Sequence, residues 1–167
     1  MNANIADFGT NRISALMIKT RNFIPSTRKF NDKKRADLLE KNIDSFLTEL
    51  EREIYIQTKK IKNFNKLYEY SQLEYNWNDH GAEPFDKELI NLAWKKINEL
   101  ECQPKVFPTA SDSIQFEYEK ENEDYLEFEI YTDRIEVFRI IGEDEEEFTL
   151  PVEEDLNIIV NEFSQKQ

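Results

Sequence analysis

Two groups of residues in this chain have the types and spacing to do chemistry. The first surrounds His80, the only histidine. Asp79 precedes it and Glu83 follows three residues later. An imidazole titrates near neutral pH and a neighbouring carboxylate fixes its tautomer, so His80 with Asp79 or Glu83 could act as a general base. No serine elbow and no candidate cysteine lies near it in the chain. Trp77 and Pro84 bracket the same loop. Such a pair either walls a ligand by stacking or plugs the end of a core and holds the loop closed. The plain reading is a solvent-facing turn histidine in a plugged loop.

The second group is acidic. Glu117, Glu119, Glu127, Glu129 and Glu136 alternate with apolar residues, and Asp144, Glu145 and Glu146 lie in the run Gly142 to Glu147. Like charges opposite each other across strands are destabilising, so such a face asks for a compensating cation. Three sources are open: a divalent metal, the chain's own Arg134, Arg139 and N-terminal basic residues, or a basic partner. A metal needs convergent hard-oxygen ligands, and no EF-hand spacing occurs. One cysteine, Cys102, excludes an intramolecular disulfide and a cysteine-based zinc site. Three glycines argue against a phosphate-cradling loop. No metal or other cofactor is expected. The partner-binding candidates are Glu117, Glu127, Glu129, Asp144, Glu145 and Glu146.

These carboxylates depend on a β-meander running from Lys105 to Ile141. Ile114, Phe116 and Tyr118 alternate with Gln115, Glu117 and Glu119. Leu126, Phe128 and Ile130 alternate with Glu127, Glu129 and Tyr131. Period-two alternation gives one apolar and one acidic face. Gly142 to Glu147 reads as an acidic turn, followed by a short edge strand at Phe148 and Leu150. Asp86 caps a helix over Lys87 to Glu101, with Leu89, Ala93, Ile97 and Leu100 inward and Trp94 beside them. Pro151 opens a last helix over Val152 to Phe163, with Leu156, Ile159, Val160 and Phe163 inward.

Before the loop, Asn31 or Asp32 suits the cap of a long amphipathic helix. Leu39, Ile43, Phe46, Leu50 and Ile54 step by three or four, and the pattern resumes at Ile61, Phe64, Leu67 and Tyr68. Gln57 to Lys60 lacks apolar residues, so a bend or break is expected there. This face needs a partner, either the sheet or, given its near-heptad spacing, a second copy in a homodimer. The expected organisation is a basic arm over 1–32, the helix over 33–75 and an acidic α+β domain over 76–167.

Charge follows this division. The chain carries a net −13, yet Arg12, Lys19, Arg21, Arg28, Lys29, Lys33, Lys34 and Arg35 crowd its start. A basic arm could contact nucleic acid through phosphates, or fold back on the acidic body. The acidic body repels nucleic acid and attracts basic partners. No stretch resembles a signal peptide or approaches the length of a membrane span, so a soluble cytoplasmic protein without membrane contact is expected.

Trp77 to Pro84 resembles a loop with Trp, Asp or Asn, two variable residues, Gly or Ala, Ala, one variable residue and Pro. That loop leads into a helix in a group of small, uncharacterised, acidic bacterial proteins. Pro104 to Tyr118 is similar to the group's next segment, and Leu126 to Ile130 to its following strand. The likeness covers about residues 75–141. Ser111-Asp112-Ser113 replaces a glycine-containing turn, and Tyr118 stands where Trp is usual. The resemblance implies this architecture and a bacterial or phage origin, and carries over no catalytic residue.

The sequence therefore predicts an α+β fold, with an antiparallel meander of three or four strands packed by helices. The expected function is non-catalytic: an inhibitor-, antitoxin- or immunity-like protein whose acidic surface binds a basic partner. The alternative is a nucleic-acid-associated structural protein using the basic arm.

Overall fold

A computed structural model describes residues 32–165. The expected basic arm lies outside them, apart from Asp32. The chain divides into two compact units between Gln57 and Thr58. The first helix, α1, spans Asp32–Tyr70. Of its two expected caps, Asn31 lies outside the described residues and Asp32 is the first helical residue. The helix is not broken at Gln57 to Lys60. Gln57 Nε2 donates to Glu53 Oε1 one turn back at 2.9 Å, and polar residues with good helix propensity continue a helix without apolar contacts.

The second unit, from Thr58 onward, holds a five-stranded antiparallel sheet with strand order equal to chain order. The strands are β1 Lys105–Pro108, β2 Ile114–Glu119, β3 Tyr125–Ile130, β4 Ile135–Ile141 and β5 Asp144–Leu150. Helix α2 spans Lys87–Glu99 and α3 spans Leu156–Gln165. The fold is α+β, as the sequence predicts, with one or two more strands than expected.

Alternation builds the core. Val106, Phe116, Phe128 and Val137 share one cross-strand row, and Ile114, Ile130 and Ile135 share the next. All seven are buried. Leu89, Ala93 and Ile97 of α2, Leu100 just after it, and Leu156, Ile159, Val160 and Phe163 of α3 join the cluster with Leu67 and Leu126. Every inward position expected on α2 and α3 is buried. Tyr118 sits edge-on to Phe128 at 6.3 Å and donates its hydroxyl to the Cys102 carbonyl at 2.9 Å. Burial pushes that hydroxyl's pKa well above the ordinary value.

Several boundaries differ from expectation: α1 ends at Tyr70 rather than at 75 and α2 at Glu99 rather than Glu101. The acidic run is not a turn: Gly142 and Glu143 alone connect β4 to β5, and Asp144 is already paired with Ile141. Gly142 takes φ +62 while Glu143 stays out of the left-handed region, the pattern of a type II′ hairpin turn with glycine first. Helix α3 begins at Leu156 rather than Val152. Asp155 makes the start, accepting from the Asn157 amide at 3.0 Å. Pro151 instead accepts a turn bond from Glu154 N–H at 3.1 Å. By contrast Asp86 caps α2 as expected, accepting from Glu88 N–H at 2.7 Å.

Two buried charged groups tie the unit together. Lys96 is 1% exposed and donates to the Glu154 carbonyl at 2.7 Å, fixing α2 to the turn before α3. Burial lowers its pKa, against the attraction of Glu99. Asp124 is 2% exposed. It accepts from Gly142 N–H at 2.9 Å, so one carboxylate joins the β2–β3 and β4–β5 hairpin ends.

Candidate functional site

The register places the acidic residues individually. On the sheet face opposite the core, one row reads Lys105, Glu117, Glu127, Phe138 and Glu147 from β1 to β5. The row beside it reads Phe107, Gln115, Glu129, Glu136 and Thr149. A third, from β2 to β5, reads Glu119, Tyr125, Ile140 and Glu145. Glu117 therefore faces Glu127 directly, and Glu129 faces Glu136. The expectation that Glu117, Glu119, Glu127, Glu129 and Glu136 share a face is met.

The six partner-binding candidates do not all share it. Glu117, Glu127, Glu129 and Glu145 lie on this outer face. Asp144 and Glu146 fall in the alternate phase, on the helix side. Glu146 pairs with Arg139 in the ladder and accepts from its Nε at 2.6 Å. A second guanidinium nitrogen of Arg139 lies 3.7 Å from Glu162 of α3. Arg139 is thus unavailable to the outer face, because it is in phase with Ile135 and Val137.

Compensation on the outer face comes largely from neutral donors. Tyr125 donates its hydroxyl to Glu127 Oε2 at 2.6 Å. Partial burial, then the hydrogen bond to Glu127 and the charge of Glu117, raise the Tyr125 pKa far above its ordinary value. Ser113 donates to Glu129 Oε1. Partial burial and Glu129 raise the Tyr131 pKa as well. Two cations contribute. Arg134 Nε donates to Glu136 Oε1 at 2.7 Å with its guanidinium 3.9 Å from the Tyr131 ring centroid. Lys105 Nζ donates to Glu119 Oε2 at 2.8 Å. The tyrosines and Ser113 were not singled out from sequence. Tyr125 and Tyr131 do sit in phase with Glu127 and Glu129, and that phase was the available signal.

Between β3 and β5 the face sinks into an open depression of about 550 Å³. Glu127, Glu129, Glu136, Glu147 and Thr149 surround it, with Phe138 among its lining residues. Phe138 also stands 6.2 Å from the Tyr125 ring. Carboxylates around an aromatic surface complement a guanidinium or ammonium group, which gains from both. No group of three or more acidic, histidine or cysteine side chains among the described residues is arranged to hold a metal ion.

The His80 loop is built differently. Asn76 closes it, its N–H bonded to the Ala82 carbonyl at 2.8 Å and its Oδ1 accepting from Gly81 N–H at 2.8 Å. Asn78 Oδ1 accepts from the His80 and Ala82 amides at 2.9 and 3.1 Å. Asn76 and Asp79 adopt φ +67 and +60, a region that asparagine and aspartate tolerate better than most residues. Trp77 donates Nε1–H to the Glu83 carbonyl at 3.1 Å and lies 5.6 Å from Phe85. These contacts fit a loop plug. Asp79, His80 and Pro84 are exposed. Among the described residues the His80 imidazole has no hydrogen bond or ion pair, and His80 is exposed, as the plain reading of a solvent-facing turn histidine expects, rather than oriented by Asp79 or Glu83.

Among the described residues no helix is long and apolar enough to cross a membrane. No family model, curated protein or solved structure matches the chain.

Proposed function

We propose that this chain is a non-catalytic acidic interaction protein, of inhibitor, antitoxin or immunity type, that binds a basic surface on a protein partner. The outer face of the meander is the binding surface, with Glu117, Glu127 and Glu129 central and Glu136, Glu145 and Glu147 around them. One observation carries the reading: strand alternation sets seven carboxylates on this face against two cations, Lys105 and Arg134. Two carboxylate pairs stand directly opposite each other, an arrangement that costs stability in the free protein. A basic partner reverses that cost and is steered to the face by its field. Phe138 and Tyr125 give the surface an aromatic centre against which an arginine or lysine stem can lie.

The test compares tagged wild-type protein with a Glu117→Lys/Glu127→Lys/Glu129→Lys variant, both incubated with bacterial lysate at low salt, with and without nuclease. The reading predicts a stoichiometric basic protein on the wild type, absent from the variant and released by salt. Far-UV circular dichroism confirms that the variant is folded. Equal capture by both proteins, or capture that disappears with nuclease, overturns the reading.

A further inference from the structure

Within the first unit, the described part of α1 contains no Gly or Pro. Its apolar residues Leu39, Ile43, Phe46 and Leu50 step by four, three and four. These steps make a heptad seam, with Ala36, Ile43 and Leu50 at one core position and Leu39 and Phe46 at the other. Leu39 and Ile43 are 54% and 56% exposed, and Leu47 beside them is 47% exposed. A helix in water owes most of its stability to packing of such a face. We infer that this stretch pairs with the same stretch of a second copy of the chain.

Three features select a second copy. A heptad seam is self-complementary, since each helix offers both the knobs and the holes. A β-branched residue at Ile43 with leucine at Leu39 is the combination that favours two strands. Charge also permits the approach. Residues 32–57 hold five Lys/Arg and seven Asp/Glu, a net −2 of the chain's −13, so little net charge opposes the approach of two copies. The seam is short because the next core positions are Glu53 and Gln57. Five seam residues, Leu47 and adjoining aliphatic stems bury on the order of 500 Å² per copy, near the lower limit for a specific interface. The dimer is therefore expected to be weak, at the low end of specific interfaces.

Sedimentation equilibrium of the full chain from about 1 to 300 μM tests this. A monomer–dimer equilibrium is expected, unweakened by raising NaCl from 0.05 to 0.5 M, because apolar contact drives it and salt screens the net charge. Leu39→Lys/Ile43→Lys shifts the dissociation constant upward at least tenfold, whereas Asp44→Asn, on the far side of the helix, leaves it unchanged. A second seam variant, Leu39→Ala/Ile43→Ala, keeps or raises helix propensity and so guards against helix loss in the first, with helicity read by circular dichroism. Wild-type protein that stays monomeric at 300 μM, or seam variants that associate as wild type does, overturn the inference. Failure here leaves the sheet-face reading untouched, since the two use different residues and only the sheet-face complex is released by salt.

Discussion

The Glu117–Glu127 pair offers a measurement of what the acidic face costs. The two residues are direct partners across β2 and β3. Such partners have Cβ atoms about 5 Å apart, which sets their carboxylates about 6 Å apart when both extend outward. At that distance and near-bulk dielectric, the repulsion is ~0.7 kcal/mol. Screening reduces it to ~0.6 kcal/mol at 0.01 M salt, ~0.3 at 0.15 M and ~0.1 at 1 M. Single substitutions do not isolate this quantity. Glu117→Gln also removes attraction to Lys105, and Glu127→Gln weakens the Tyr125 hydrogen bond. A double-mutant cycle of Glu117→Gln and Glu127→Gln cancels those side effects. Urea unfolding of the four proteins at 0.01, 0.15 and 1 M NaCl should give a repulsive coupling that falls in that order. A coupling that is attractive, or equal at all three salts, would falsify the claim that these carboxylates are charged and opposed.

Two further outcomes follow from the fold. Phe128→Ala, at the fully buried centre of the sheet, should lower stability by about 3–5 kcal/mol in urea titration; a loss below about 1.5 kcal/mol would contradict its central place. The Asp124 carboxyl is held below its ordinary pKa of 3.8, chiefly by the Gly142 amide, with Asn122 and Lys120 adding to the shift. A depressed folded pKa means stability that is present above the unfolded value and lost as pH falls through the folded one. Asp124→Asn should therefore flatten the acid side of the stability profile below about pH 4, and superposable acid unfolding curves would refute the linkage.

What was legible in the sequence was phase. Ile114, Phe116, Tyr118, Leu126, Phe128 and Ile130 declared the sheet and both faces, because burial on one side permits only one register. The stripes of α2 and α3 were equally clear, since each lies against a single apolar surface. Residues that serve two neighbours at once were harder. Arg139 lies in phase with Ile135 and Val137, so alternation alone would have turned it inward. Its charge suggested the acidic face instead, and Glu146 and Glu162 on the helix side, with the Phe148 ring, make the inward position tolerable. Lys96 has the same character: its stem follows the buried stripe while its ammonium reaches the Glu154 carbonyl beyond α2. Glu162 and the Glu154 carbonyl both lie far in sequence from the cations they meet.

Strand β5 shows why composition misled. Asp144, Glu145, Glu146 and Glu147 have poor strand propensity and look like a solvated turn. Their strand is imposed by the ladder to β4, with Gly142 supplying the reversal and Phe148 and Leu150 the apolar anchor. An outermost strand presents unpaired backbone groups that could recruit another sheet, and four consecutive carboxylates discourage that pairing. Negative charge on β5 thus has a use in the free protein that requires no partner. The rows at Glu117–Glu127 and Glu129–Glu136 differ, for they belong to interior strands, where no edge needs protection and the opposed carboxylates still repel across the ladder. This difference is why the proposed binding surface is centred on β2, β3 and β4 rather than on the more acidic β5.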